Sequence, residues 1–162
     1  MANKDHTRIG AEFQEKVRQH FEEELFKGSV FESEIAIKIG EGKLTKEHKY
    51  DIVCSEKNIA IECKCYTWTS GGNVPSGKIR GLNEAAFFLS FLKDYEKYIV
   101  IRYSYHPTRK QTLAEYYFET YRHLLGNIHV AEFNPGASAE QRFRVLPDSS
   151  VMSAQDEVLQ AK

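Results

Sequence analysis

Apolar residues recur along the chain with two different periods, and each period predicts one kind of element. A four-residue period over about residues 7–26 predicts an amphipathic helix, because its apolar members then lie on one face. Those members are Ile9, Phe13, Val17, Phe21 and Leu25. Gly28 then predicts the end of this helix. A two-residue period over 34–39 predicts a strand with one buried face.

The rest of the pattern predicts an ordered series of further elements. Two apolar runs around the polar turn 55–58 predict a β-hairpin. Helical spacing over 81–95 and 113–124 predicts two more helices, and the apolar runs 97–103 and 127–133 predict two more strands. A last short strand is predicted over 142–146. The chain is therefore expected to be an α/β protein with an αβββαβ core, in which helices flank a central mixed sheet.

Length and composition indicate one folded unit. The chain has 162 residues, of which 41% are hydrophobic, enough for a single core. We predict one domain over residues 1–146 and a loose tail or short helix over 147–162. No apolar run reaches the length of a membrane span, and the polar start does not resemble a signal peptide. We therefore expect a cytoplasmic protein.

The predicted hairpin carries charge that folding alone does not require. If Ser55 faces Asn58 across the turn, Asp51 lies directly across from Glu62. Lys64 follows two residues later on the face of Glu62, because side chains alternate along a strand. The hairpin therefore predicts two carboxylates and an ammonium group on one patch. The alternative interpretation is a solvated strand face with an ordinary ion pair.

Two neighbouring carboxylates repel each other unless a cation lies between them. Oxygen ligands of this kind suit Mg²⁺, which proteins usually hold by one or two carboxylates together with substrate phosphates. Asp51 and Glu62 are the expected ligands, and Mn²⁺ is expected to substitute for Mg²⁺. Lys64 could position a water molecule or stabilise the charge that develops on a phosphate during attack. The pattern therefore predicts phosphodiester hydrolysis.

Asp51 followed by Glu62-x-Lys64 on a hairpin resembles the signature of the PD-(D/E)XK nuclease superfamily, although Tyr50 stands where that family often has proline. The first helix is similar to that of the Holliday-junction-resolvase and Mrr-like branches. The resemblance implies a restriction-endonuclease-like fold and a Mg²⁺-dependent endodeoxyribonuclease. It also implies that an acidic residue of the first helix, Glu12 or Glu15, can add to the site. A non-cleaving DNA-binding or structural member of the same fold is the alternative.

A long glycine-rich loop predicted over 66–80 follows the strand that carries Glu62 and Lys64. Its polar, basic and aromatic side chains suit contacts with phosphates and bases, although the loop could instead be a surface connection in which Trp68 covers the core. A basic turn later in the chain could also contact phosphate. The candidate DNA-binding residues are Trp68, Asn73, Lys78, Arg80, Arg109 and Lys110.

The net charge of −1 argues against a protein that coats nucleic acid, but it permits a nuclease whose positive charge is confined to one cleft. One such site hydrolyses one strand, so we expect a homodimer if the protein makes double-strand breaks. The tyrosines of the third helix, Tyr116, Tyr117 and Tyr121, are the predicted contact surface, because aromatic residues are enriched at interfaces. They could equally cover the sheet. An interaction module without enzymatic activity remains a third hypothesis.

Overall fold

Three helices and eight strands form the part of the chain that the computed structural model describes, residues 2–147. The helices are α1 (Ala2–His20), which continues into a π-helical turn (Phe21–Leu25), α2 (Ser76–Ser90) and α3 (Leu113–Leu125). The strands are β1 (Glu32–Glu41), β2 (Leu44–Cys54), β3 (Ile59–Lys64), β4 (Glu96–Arg102), β5 (Tyr105–His106), β6 (Gln111–Thr112), β7 (Ile128–Phe133) and β8 (Phe143–Leu146).

Six of the strands form one mixed sheet in the order β1-β2-β3-β4-β7-β8. β1, β2 and β3 are antiparallel neighbours, β3, β4 and β7 run parallel, and β8 pairs antiparallel with β7 at the edge. β5 and β6 form a separate small hairpin. The predicted central mixed sheet flanked by helices is confirmed.

Two apolar layers hold the helices on opposite faces of this sheet. Helix α1 packs Phe13 and Val17 against the face that carries Ile61. Helices α2 and α3 pack against the other face, which carries Ala60 and Ile99. Burial of both faces explains why β3 and β4 are almost continuously apolar.

Because β3, β4 and β7 run parallel, their carboxyl ends meet at one edge of the sheet, where α/β proteins commonly bind ligands.

Several element boundaries differ from the prediction. Helix α1 begins at Ala2 and not near residue 7. Strand β2 begins at Leu44 without a polar link, because Gly42 (φ 58°) adopts a left-handed conformation that closes a tight turn after β1. Helix α2 begins at Ser76, five residues before the predicted start, so that Lys78 and Arg80 lie on the helix and not in the loop.

The predicted contact surface on helix α3 cannot include Tyr117. Tyr117 is fully buried and stacks on Tyr121, with ring centroids 5.4 Å apart. Tyr116 and Tyr121 are half-buried and pack against the core between the sheet and its helices. These tyrosines therefore cover the sheet, which was the other interpretation of their spacing.

The predicted tail largely lies outside the described residues, which end at Pro147. Within residues 2–147, the helices are too short or too polar to cross a membrane.

Candidate active site

The hairpin of β2 and β3 has the register that the turn predicted. Ile52 pairs with Ile61, and Cys54 pairs with Ile59. Asn58 (φ 52°) adopts a left-handed conformation in the turn, which asparagine tolerates better than most residues. Asp51 and Glu62 occupy the next pair of positions, immediately beyond the last paired residues. The sheet register therefore brings these two residues together.

Backbone pairing is interrupted at Asp51 on both sides of β2. The β1–β2 pairs Ser33↔Ile52 and Ile35↔Tyr50 flank Glu34 and Asp51. Glu34 has φ 57°, an unusual conformation for a residue with a side chain. The interruption leaves the backbone carbonyl of Asp51 available for another partner.

Those partners hold Asp51 in place. Its carbonyl oxygen accepts a hydrogen bond of 2.8 Å from Gln14 Nε2 on helix α1. Its Oδ2 accepts a hydrogen bond of 2.7 Å from the backbone N–H of Cys63 on β3. The carboxylate of Asp51 is therefore fixed at the end of β3, beside Glu62.

Glu62 and Lys64 form a tight pair on that strand. Lys64 Nζ lies 3.1 Å from Glu62 Oε2. The side chain of Glu62 is only 7% exposed, whereas that of Lys64 is 21% exposed. Both project toward the face that α2 and α3 cover, at the carboxyl edge of the sheet. The ammonium group therefore lies where a ligand from solvent could reach it.

Burial makes the ionised forms of the two carboxylates less favourable. Burial and, next, the charge of Asp51 raise the pKa of Glu62 to about 7, although Lys64 opposes this shift. Burial also raises the pKa of Asp51, against the opposing effects of the Cys63 N–H and Lys64. Burial alone would lower the pKa of Lys64, but Glu62 and Asp51 outweigh it and raise that pKa. The positive charge of Lys64 is therefore not sufficient to offset the burial and mutual repulsion of the two carboxylates.

The donor set fits a hard divalent cation that is completed by other ligands. Among residues 2–147, no three His, Cys, Asp or Glu side chains are grouped so that they could enclose a metal ion. Asp51 and Glu62 supply two carboxylates, which is the usual protein contribution to Mg²⁺ when waters and substrate phosphates supply the rest. An all-protein cage, as in a structural zinc site, is not formed by the described residues.

Three residues that the sequence analysis did not select also lie at this site. Glu34 Oε1 accepts a hydrogen bond of 3.3 Å from Gln14, and its charge raises the pKa of Asp51. His48 stacks on Phe88 of helix α2, with ring centroids 3.8 Å apart. Burial lowers the pKa of His48, while the charge of Asp51 acts in the opposite direction. Gln14, Glu34 and His48 thus surround Asp51 from α1, β1 and β2.

The two acidic candidates on helix α1 have other partners. Glu12 is exposed, and its carboxylate lies 3.9 Å from Arg8 one turn earlier. Glu15 accepts hydrogen bonds from Arg18 and Gln19. The structure therefore brings Gln14, and not these glutamates, into contact with the backbone of Asp51.

The aromatic loop residue lies in the core. Trp68 is 7% exposed, and its ring centroid is 5.4 Å from that of Tyr116. Arg109 lies over the Trp68 ring at 4.8 Å, and its Nε donates a hydrogen bond to the carbonyl of Gly72. Arg109 therefore ties the loop to the β5–β6 hairpin, and Trp68 covers the core as the alternative interpretation supposed.

The other candidate DNA-binding residues divide by exposure. Lys78 Nζ donates a hydrogen bond of 2.8 Å to the carbonyl of Thr67, so that it braces the loop. Asn73, Arg80 and Lys110 are exposed. These three side chains are therefore accessible to solvent.

A sequence signal existed for two of the missed residues. Because the turn after β1 is tight, counting back along the β1–β2 hairpin places Glu34 opposite Asp51. Gln14 follows Phe13 and precedes Val17, so it borders the buried stripe of α1, whereas Glu15 lies farther around the helix.

Comparison of the sequence with known protein families, with curated proteins and with solved structures found no match to this chain.

Proposed function

We propose that this protein is a Mg²⁺-dependent endodeoxyribonuclease with a restriction-endonuclease-like fold, which hydrolyses phosphodiester bonds of DNA at Asp51, Glu62 and Lys64. One observation carries the proposal. One buried and one half-buried carboxylate from neighbouring strands meet beside a partly exposed ammonium group, 3.1 Å from the buried one, at the carboxyl edge of the sheet. A simple surface ion pair would not require the second carboxylate.

The roles of the three side chains follow from their positions. Asp51 and Glu62 would hold Mg²⁺. When bound, this ion would polarise the scissile phosphate and make a water molecule more acidic. Lys64 stays protonated, because its neighbours raise its pKa. Its charge can orient the attacking water and offset the negative charge that develops on the phosphate oxygens.

Gln14 and Cys63 position Asp51, whereas exposed basic residues are candidates for contact with DNA. Gln14 holds the backbone of Asp51 from below the sheet, and the N–H of Cys63 orients its carboxylate. Exposed Arg80 and Lys110 could hold the DNA backbone on either side. These contacts are consistent with a near-neutral protein that concentrates its binding charge at one edge.

The test is nicking of supercoiled plasmid in Mg²⁺ or Mn²⁺ by the wild type and two variants. Lys64→Ala should lose cleavage by roughly a hundredfold or more, as expected for loss of one donor that stabilises the transition state. Its DNA affinity, measured in Ca²⁺, should change little, because one of several cationic contacts is lost. Asp51→Ala should lose both cleavage and binding of Mg²⁺ measured by calorimetry.

Lys97→Ala is the control, because Lys97 is a buried lysine of the same sheet but lies at the amino end of β4. It should nick plasmid like the wild type. Undiminished nicking by Lys64→Ala would contradict the assignment of the site. Absence of nicking by the wild type on any DNA would favour the non-cleaving alternative.

A homodimer remains a prediction that depends on double-strand cleavage. The exposed apolar side chains of Phe87 on helix α2 and of Phe91 just after it offer one candidate contact surface. Light scattering of the protein, free and with DNA in Ca²⁺, tests this point. A monomeric mass in both states would remove the prediction.

A further inference from the structure

A second polar site lies on the same edge of the sheet as the carboxylate pair. A cavity of about 460 Å³ opens at the carboxyl ends of β4 and β7, beneath the β5–β6 hairpin. Lys64 pairs in register with Ile101, which pairs with Glu132 in the wall of the cavity. Two strand spacings, about 10 Å, therefore separate Lys64 from Glu132. This separation is close to the rise of about three nucleotides in one stacked strand.

The floor of the cavity is a fixed set of hydrogen-bond acceptors. Glu132 is 5% exposed, and it accepts hydrogen bonds from Thr112 Oγ1 at 2.7 Å and from Arg144 Nε at 2.9 Å. Arg144 also donates to Glu115 Oε1 at 2.7 Å. Glu115 in turn closes a capping box with Thr112 at the start of α3. Two carboxylates thus share one guanidinium group, and the floor keeps a net negative charge.

The rim of the cavity is aromatic and cationic. Tyr103 and Tyr105 are 41% and 49% exposed. Lys110 is exposed and has φ 53°, a strained conformation that the hairpin imposes at this position. Arg142 donates to the carbonyl of Ala137 at 3.1 Å, while its buried Nε has no partner among residues 2–147.

This combination selects one class of ligand. An inorganic anion would meet the carboxylates of the floor, and a metal cation would compete with Arg144 for them. A nucleotide suits both the acidic floor and the aromatic, cationic rim. Its base can stack on a tyrosine and donate an amino hydrogen to a carboxylate, and its phosphate can contact Lys110 and Arg142. The volume also lies within the ordinary range for small-ligand pockets, about 300–1,000 Å³.

We propose that this cavity binds one unstacked nucleotide of the DNA strand that is cleaved, with preference for a base that carries an amino group. The inference rests on the proposed nuclease function and deepens it. It implies that the preferred substrates contain an unpaired base next to the cleaved bond, as in flaps, branches and single strands, because pulling a paired base from a duplex costs free energy.

The test measures binding by fluorescence anisotropy in Ca²⁺, so that cleavage does not enter. The probes are labelled oligo(dC), oligo(dT) and a blunt duplex. The wild type should bind oligo(dC) more tightly than oligo(dT), because thymine has no amino group. Tyr105→Ala should weaken binding of oligo(dC) by roughly tenfold, as expected for loss of one stacked base, and should leave duplex binding unchanged.

Lys93→Ala is the matched control for Lys110, because Lys93 is an exposed lysine that pairs with Glu41 and does not line the cavity. It should not alter binding of any probe, whereas Lys110→Ala should weaken binding of oligo(dC). Equal affinity for oligo(dC) and oligo(dT), or an unchanged affinity of Tyr105→Ala, would overturn the proposal. Competition by dCMP as effective as that by oligo(dC) would also overturn it, in favour of a site for free nucleotides.

Failure of this inference is distinguishable from failure of the proposed function. If Tyr105→Ala nicks plasmid and binds oligo(dC) like the wild type, the proposal for the cavity is wrong and the nuclease proposal stands. Tight, Tyr105-dependent binding of oligo(dC) without any nicking contradicts the nuclease alone. Absence of binding to every probe contradicts both.

Discussion

Glu62→Gln should stabilise the metal-free protein at alkaline pH while it abolishes the cation site. Burial and Asp51 raise the pKa of Glu62 to about 7 in the folded protein, from an ordinary value of 4.5 in the unfolded chain. The folded state therefore holds this proton more tightly. Its contribution to stability is complete below about pH 4.5 and is lost as the pH rises through 7.

The magnitude follows from the two pKa values. Between pH 5 and pH 8, the wild type should lose about 2.5 kcal/mol of unfolding free energy through this one carboxyl group. Glutamine has nearly the same shape but cannot ionise, so the variant should not show this loss. The ion pair with Lys64 adds no separate contribution, because its effect on ionised Glu62 is already contained in the pKa of about 7.

Urea unfolding in EDTA at several pH values measures the effect. The unfolding free energy of Glu62→Gln relative to the wild type should rise by about 2.5 kcal/mol from pH 5 to pH 8. Glu41→Gln is the control, because Glu41 pairs with Lys93 but its side chain is 92% exposed. Its difference from the wild type should not change with pH. Parallel curves for wild type and Glu62→Gln would refute the reasoning.

Added Mg²⁺ completes the test. At pH 8 a saturating concentration, one hundred times the dissociation constant, should stabilise the wild type by about 2.7 kcal/mol through mass action. Asp51→Ala and Glu62→Gln should gain much less. An equal gain in all three proteins would show that the ion binds elsewhere.

Two further predictions concern the support of the site and the core. Gln14→Ala leaves the Asp51 carbonyl without its hydrogen-bond donor on α1. This change should cost about 1–2 kcal/mol of stability and raise the Mg²⁺ concentration needed for nicking. Gln19→Ala, on the exposed side of α1, should have neither effect. Tyr50→Phe removes a hydroxyl that donates to the carbonyl of Phe88, so it should lower the unfolding free energy by about 1 kcal/mol. Tyr117→Phe removes a buried hydroxyl with no partner among residues 2–147, so thermal unfolding should show a neutral or stabilising effect.

Local pattern was sufficient to determine the order of the helices and of the strands of the six-stranded sheet, and the register of its central hairpin, although it missed the small β5–β6 hairpin. The apolar stripe of Phe13 and Val17 places α1 on the sheet, and the polar turn 55–58 aligns Asp51 with Glu62. Both depend on near neighbours along the chain, since helical and strand periods are fixed by backbone geometry. The pairing of these carboxylates was therefore readable without tertiary structure.

Exposure, in contrast, was decided by packing between distant segments. Trp68 and Arg109 were equally credible as DNA contacts from their sequence, because both occupy irregular segments rich in polar residues. In the folded protein Arg109 covers the Trp68 ring, and the two join a loop to a hairpin about forty positions later. No local period encodes such a contact.

The environment of Asp51 and the cavity beside Glu132 also needed the tertiary structure. Glu12 and Glu15 carry the right charge, but helix α1 presents Gln14 to the sheet. Glu132 lies within an apolar run, and its partner Arg144 is brought to it only when β8 pairs with β7. Sequence spacing determines which face of an element a side chain occupies, whereas the packing of separate elements determines which other side chain it meets.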